Sequence, residues 1–185
     1  MRLHEMVDAG IAATTVARMA RAGEITRLGR GLYQAADAPF GGDHALAEVA
    51  KAVPKGVICL LSALAFHDLT DQIPTKVWVA IGLKDWKPSP TGNPLRIIRM
   101  SIDLLREEVE RHEIEGVPVP IFTVARTLAD CFKHHRSVGL TVAVEALGEA
   151  LRTKRATPAE IAEAANRVGS WKVMRPYLEA LTING

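Results

Sequence analysis

The chain has 185 residues, 48% of them hydrophobic and 24% charged, with a formal net charge of +2. That balance is expected of a soluble globular protein with one ordinary domain or two small ones, and it excludes disordered and coiled-coil classes. The longest apolar run, Val57–Phe66, is interrupted by Ser62, and Met1–Glu5 carry an acid and no apolar signal region, so the expectation is a cytoplasmic protein without membrane association.

Charge is placed unevenly. Residues 1–33 carry five arginines against three acids, residues 34–120 nine cations against twelve acids, and residues 121–185 nine against six. The N-terminal excess is all arginine, which suits phosphates and base edges better than lysine does. Cys59 and Cys131 lack the paired spacing of a zinc or redox motif and are expected to be two buried thiols in a reducing compartment.

In chain order, Leu3, Met6 and Val7 recur at helical spacing, and Gly10 ends that helix with a residue free to take positive φ. A second helix is predicted over Ala12–Ala22, closed by Gly23. At about 100° per residue, Ala12, Val16, Met19 and Ala20 share one side, Thr14, Arg18 and Arg21 the other, and Thr15 flanks them. Two short strands follow, Ile25–Leu28 and Leu32–Gln34, with Gly29-Arg30-Gly31 between them as a hairpin tipped by a cation. Residues 35–42 are rich in proline and glycine and form the best linker.

Asp43 is expected to cap a helix through about Ala52. Val57–Cys59 reads as a short extended entry to a helix ending at His67. Lys76–Leu83 and Leu95–Met100 read as strands around a proline-rich loop, and Val109–Ile114 and Val117–Phe122 as a hairpin about Glu115-Gly116. Pro118 and Pro120 push the second hairpin strand to a sheet edge or to its end, because proline donates no ladder hydrogen bond. From Thr123, placed as an N-cap, the chain is helical: Val124–His135, then Thr141–Lys154. Thr157-Pro158-Ala159-Glu160 opens a helix to Val168 with a capping box and a proline at the first position. A last helical stretch around Trp171–Leu181 is expected to break or restart at Pro176.

An outer face of short polar and arginine side chains over an apolar stripe is what a DNA recognition helix requires. Thr14, Thr15, Arg18 and Arg21 would read the major groove, with Arg27 and Arg30 on the hairpin contacting backbone or minor groove. The competing reading is an ordinary amphipathic helix with a solvated basic face.

These residues carry a resemblance. Gly10-Ile11, Val16-Ala17-Arg18-Met19, Gly23-Glu24-Ile25 and Leu28-Gly29-Arg30-Gly31-Leu32-Tyr33 resemble the winged helix-turn-helix that opens AbiEi-family antitoxins of type IV abortive-infection systems. The likeness continues through Leu61–Leu69, Ala125–Asp130, Gly139-Leu140 and Glu145–Leu147, and spans Arg2 to about Leu181. The resemblance implies an antitoxin and transcriptional autoregulator that binds its own promoter and counteracts a nucleotidyltransferase-like toxin encoded beside it, whether or not the two touch. Family members usually carry a further helix before the one at Leu3. The winged helix-turn-helix here is therefore expected to be shortened, with Leu3, Met6 and Val7 packing on a helix near 43–52, on the larger domain or on a second subunit.

Arg126 and Asp130, four apart on a helix, are placed to form an ion pair. It is either a charge pair facing a partner or a structural lock between helix and sheet, and the latter is favoured. Trp78 is expected in the core. Trp86 in the proline-rich loop either anchors a partner or folds back over the sheet edge. Trp171, Tyr177 and Leu181 are expected to close the helical layer. Neighbouring His134 and His135 diverge on a helix, while His67 and His112 lack ligand-spaced companions. The strand candidates Lys76–Leu83 and Leu95–Met100 contain none of the acids a metal-dependent nuclease would want, and the acid-rich 107–110 stretch reads as solvated surface.

The expectation is an α/β (α+β) protein: a partial winged helix-turn-helix over residues 1–38, then a mixed domain over 39–185 with a small sheet near 77–122 covered by helices. Its partners would be promoter DNA and a cognate toxin, with a homodimer suited to an inverted-repeat operator. Neither cofactor nor metal nor catalysis is expected. The alternatives are a protein-interaction module without DNA binding and a small metal-dependent nuclease.

Overall fold

The computed structural model of the chain describes residues 10–22, 25–29, 32–35, 42–86, 88 and 92–183. Gly10, at φ +89°, precedes helix α1 (Ala13–Arg21), whose flanking residues are Ala12 and Ala22. Strands β1 (Ile25–Gly29) and β2 (Leu32–Ala35) pair antiparallel, with Arg27 opposite Tyr33 and Gly29 opposite Leu32. The helix expected over Leu3, Met6 and Val7, Gly23 after α1 and most of the 35–42 linker lie outside the described residues.

The larger part of the chain runs α2 (Gly42–Ala52), β3 (Val57–Ile58), α3 (Leu60–Phe66), β4 (Val77–Gly82), β5 (Leu95–Met100), α4 (Ile102–Arg106), β6 (Val109–Ile114), β7 (Val117–Phe122), α5 (Val124–Lys133), α6 (His135–Val138), α7 (Leu140–Arg152), α8 (Pro158–Val168) and α9 (Trp171–Ile183). Its five strands form one mixed sheet in the order β5-β4-β3-β7-β6, parallel at β5/β4 and β3/β7 and antiparallel at β4/β3 and β7/β6.

Every residue of β4 is buried, so both faces of the sheet are covered there. Val77, Val79 and Ile81 join Leu46, Val49 and Val53 of α2 on one face. Trp78 and Ala80 join Leu64, Phe122, Leu128, Leu147 and Ile161 on the other. This period-two alternation makes β4 the divider between two cores. Ser62, which interrupts the apolar run, is itself buried and its hydroxyl accepts the Trp78 N–H at 3.0 Å. A polar atom is tolerated there because it satisfies a backbone donor that has left water.

Two local signals appear as expected. Thr123 caps α5 by accepting the Arg126 N–H, and Thr157 and Glu160 form the capping box of α8. Trp171, Tyr177 and Leu181 pack against the helical core, the Tyr177 ring 5.6 Å from that of Phe132.

Four expectations are corrected. The strand holding Pro118 and Pro120 is not at an edge: β7 lies between β3 and β6. It tolerates them because β3 is two residues long and meets β7 at Ile121, beyond both prolines. Nor does Pro176 break the last helix. It sits on the exposed side of a continuous α9, and Lys172, whose carbonyl loses its helical donor there, is also exposed. Asp43 lies in the first turn of α2, which begins a residue earlier at Gly42. Finally, α5 ends at Lys133 and a separate turn of helix, α6, starts at His135.

Candidate functional site

The charged groups singled out from the sequence that are described lie on two helices, Arg18 on α1 and Arg126 with Asp130 on α5. In α1, Val16 is almost completely buried and packs with Ile25 at the start of β1, while Ile11, Met19 and Ala20 are partly buried around them. Each fully buried aliphatic side chain of this kind contributes about 1.5–3 kcal/mol, so this small cluster holds the helix on the hairpin. Thr14 and Arg18 are exposed and Thr15 is half-buried. Ala12, placed on the apolar side by the helical wheel, is exposed instead, because it precedes the helix in extended conformation. No acid occupies the first turn of α1, so the partial positive charge of its N-terminus is not neutralised from within the helix. The side chains of Arg21 and Arg27, and Arg30 altogether, lie outside the described residues.

The pair on α5 is enclosed. Arg126 has no exposed surface, and its Nε donates to Asp130 Oδ2 at 3.0 Å. Its guanidinium lies 4.5 Å over the Phe122 ring, and Nη2 is 3.6 Å from the Met100 sulfur. Nη1 points to Glu108 Oε2 at 3.9 Å, too long for a hydrogen bond, and neither atom has another hydrogen-bond partner among the described residues. Glu108 also faces Arg167 of α8 at 3.4 Å, and Arg167 bonds Glu163 at 2.8 Å. Part of the acid-rich 107–110 stretch therefore turns inward, contrary to its reading as solvated surface. Burial pushes the Asp130 and Glu108 carboxyls above their ordinary values, against the pull of Arg126 on the first and of Arg167 and Arg126 on the second.

His67 is likewise buried, with Nε2 2.8 Å from the Phe122 carbonyl, which makes that nitrogen the donor. Burial lowers its pKa, against the opposing pull of the bond to the Phe122 carbonyl, and so favours the neutral ring with its proton on Nε2. His112 lies 6.3 Å away between ring centres. His135 Nδ1 is bound to the Phe132 carbonyl at 2.8 Å. Among the described residues no group of three or more His, Cys, Asp or Glu side chains is arranged to hold a metal. Cys59 and Cys131 are buried free thiols whose pKa values burial raises, an environment that suppresses the reactive thiolate.

Trp86 is 94% exposed, so its indole does not fold back over the sheet edge. The turn before it is tied down. The Arg99 guanidinium donates to the carbonyls of Gly82, Leu83 and Asp85 at 2.9–3.1 Å, and Asp85 accepts the Gly82 N–H at 2.8 Å. Leu83, beside it, is also exposed.

A family model described as "Transcriptional regulator, AbiEi antitoxin" matches residues 5–36, a stretch that includes α1, β1 and β2. The crystal structure of the RV2827C protein from Mycobacterium tuberculosis is similar to this chain at a TM-score of 0.66 and 11% identity, over 96% of this chain and 69% of that one. At that identity the likeness is one of fold. No curated protein matches the chain. No helix among the described residues is long and apolar enough to cross a membrane.

Proposed function

We propose that this chain is a DNA-binding transcriptional regulator of the antitoxin type, acting without catalysis or cofactor in the cytoplasm. The observation that carries the reading is the division of α1: Val16 turned inward onto Ile25, Thr14 and Arg18 turned out, and a hairpin directly behind. A recognition helix needs that division, with polar and arginine groups free to reach base edges and the apolar side anchored. The antitoxin family match over the same residues supports it.

In this reading residues 1–38 belong to a winged helix-turn-helix. Thr14, Thr15, Arg18 and Arg21 meet the major groove, and Arg27 and Arg30 hold flanking phosphates or the minor groove. Residues 39–185 counteract a cognate toxin, with exposed Trp86 on its anchored turn as a partner contact, and the buried Arg126–Asp130 pair serves the architecture. An inverted-repeat operator would bring two copies together.

The test is a titration of the full chain with duplex DNA from upstream of its own gene at several salt concentrations. Affinity is expected to fall steeply with salt, as phosphate contacts release counterions. Arg18→Ala should weaken binding to the preferred duplex by about 1–3 kcal/mol and relax its sequence preference. Salt-independent or absent binding would leave the protein-interaction reading in its place.

A further inference from the structure

On the larger part of the chain, a cleft of about 410 Å³ opens between the turn joining α2 to β3, helix α4 and the β6–β7 hairpin. Its floor includes Val57 and Leu105, both buried, with Val109 beside them. Lys55, Arg106 and Arg111 line it and are all exposed. None of the three forms an ion pair among the described residues, whereas Arg152, Arg167 and Arg175 each hold a glutamate at 2.6–2.8 Å. Asp85 also lines the cleft, with one carboxylate oxygen committed to the Gly82 N–H.

Three like charges gathered on one concave wall repel one another, and an anion in the cleft converts that cost into attraction. The local gathering is not part of a basic field, since residues 34–120 carry nine cations against twelve acids. That surrounding negative charge works against a long polyanion and leaves a compact anion favoured. The wall is also held in place. Gly56 donates to the Val53 carbonyl at 2.8 Å in a turn so tight that a side chain at Gly56 would strike Val79 and Val53, which fixes the start of the chain carrying Lys55.

We propose that this cleft binds a small organic phosphate of about nucleoside monophosphate size. Lys55, Arg106 and Arg111 would take the phosphate, and the Val57–Leu105–Val109 floor the apolar or planar body. The volume falls within the range of small-molecule sites, roughly 300–1,000 Å³. Two guanidinium forks match phosphate oxygens in pairs, and a dianion answers three cations better than a single carboxylate does. The apolar floor gives an organic phosphate an advantage over the bare ion.

The experiment is calorimetric titration of the full chain with the four ribonucleoside monophosphates, inorganic phosphate and adenosine. At least one nucleotide is expected to bind with Kd below about 1 mM, at least about tenfold tighter than either inorganic phosphate or adenosine. K55Q/R106Q/R111Q, altering exposed side chains only, should keep the thermal midpoint and lose that affinity at least about tenfold. The proposal is overturned if no nucleotide binds, if adenosine binds as well as its phosphate, or if the triple variant binds nucleotide like the wild type. A triple variant that loses duplex DNA affinity in a chain that takes up no nucleotide also overturns it, assigning the three cations to the nucleic-acid backbone.

Discussion

Arg126 and Asp130 meet, Nε to Oδ2 at 3.0 Å, where neither side chain has more than 2% of its surface exposed. Desolvation of both groups opposes their attraction, and the raised carboxyl pKa of Asp130 shows that burial outweighs the cation beside it. Removing one member leaves the other charged and unpaired. Arg126→Met is therefore expected to cost about 3–5 kcal/mol in urea unfolding. R126M/D130L should cost less than R126M alone, because it also removes the stranded carboxylate. A double variant as costly as the two single changes added together would show that the guanidinium acts through its packing on Phe122 instead.

The same carboxyl sets a pH dependence. A folded-state pKa above the ordinary 3.8 means that the folded chain takes up the proton first on acidification. The penalty for ionised Asp130 is thus fully present at neutral pH, is relieved as pH falls through the folded pKa, and changes no further below the ordinary value. The stability of the wild type relative to Asp130→Asn should rise as pH is lowered from 7 toward 4. Urea midpoints measured in parallel read this difference directly, and a constant gap would contradict it.

His67 works in the opposite direction. Its folded pKa is depressed by burial, so below about 6.5 the unfolded chain is protonated first and stability is lost as pH falls through the folded pKa. A charged ring would still donate from Nε2 to the Phe122 carbonyl, but without solvent to support its charge. His67→Gln keeps a donor for that carbonyl and removes the titration. The advantage of the wild type over H67Q is expected to shrink between pH 7.5 and 5 in the same unfolding assay.

What could be read in advance was local. The capping box at Thr157, the β-branched run of β4 and the Glu115-Gly116 turn each announce themselves within a few residues, because their physics is closed within those residues. The placement of β7 could not be read, since it depends on how short β3 is, a property of chain segments some sixty residues apart. Spacing placed Arg126 and Asp130 as a pair but could not show their burial, which comes from α5 packing among α3, α7 and α8. On α1 the wheel separated Val16 from Thr14 and Arg18 correctly, because one helix packed on one hairpin obeys a single period. Lys55, Arg106 and Arg111 carried no joint signal, as only the tertiary fold brings their three segments to one wall.

Thr157 and Glu160 supply a test of a purely local device. Thr157 Oγ1 accepts the Glu160 N–H at 3.3 Å, and Glu160 Oε2 accepts the Thr157 N–H at 2.7 Å. Thr157→Ala should lower stability by about 1 kcal/mol, read as a drop in the thermal midpoint. T157A/E160A should cost less than the sum of the single changes, because each half of the box loses part of its worth without the other.

Gly56 tests whether the wall of the cleft is held as tightly as its geometry requires. A methyl group there would lie 2.6 Å from Val79 Cγ2 and 2.9 Å from Val53 Cγ1, both in the core between α2 and the sheet. Core side chains at native density cannot yield by that much without leaving their rotamers, so Gly56→Ala is expected to cost about 1–3 kcal/mol. Trimming the nearer neighbour makes room. G56A/V79A should therefore be more stable than the two single changes predict when added, with a coupling of about 0.5 kcal/mol or more in a double-mutant cycle. Additive costs would mean that the α2–β3 turn moves aside as a unit, leaving Lys55 free to leave the cleft.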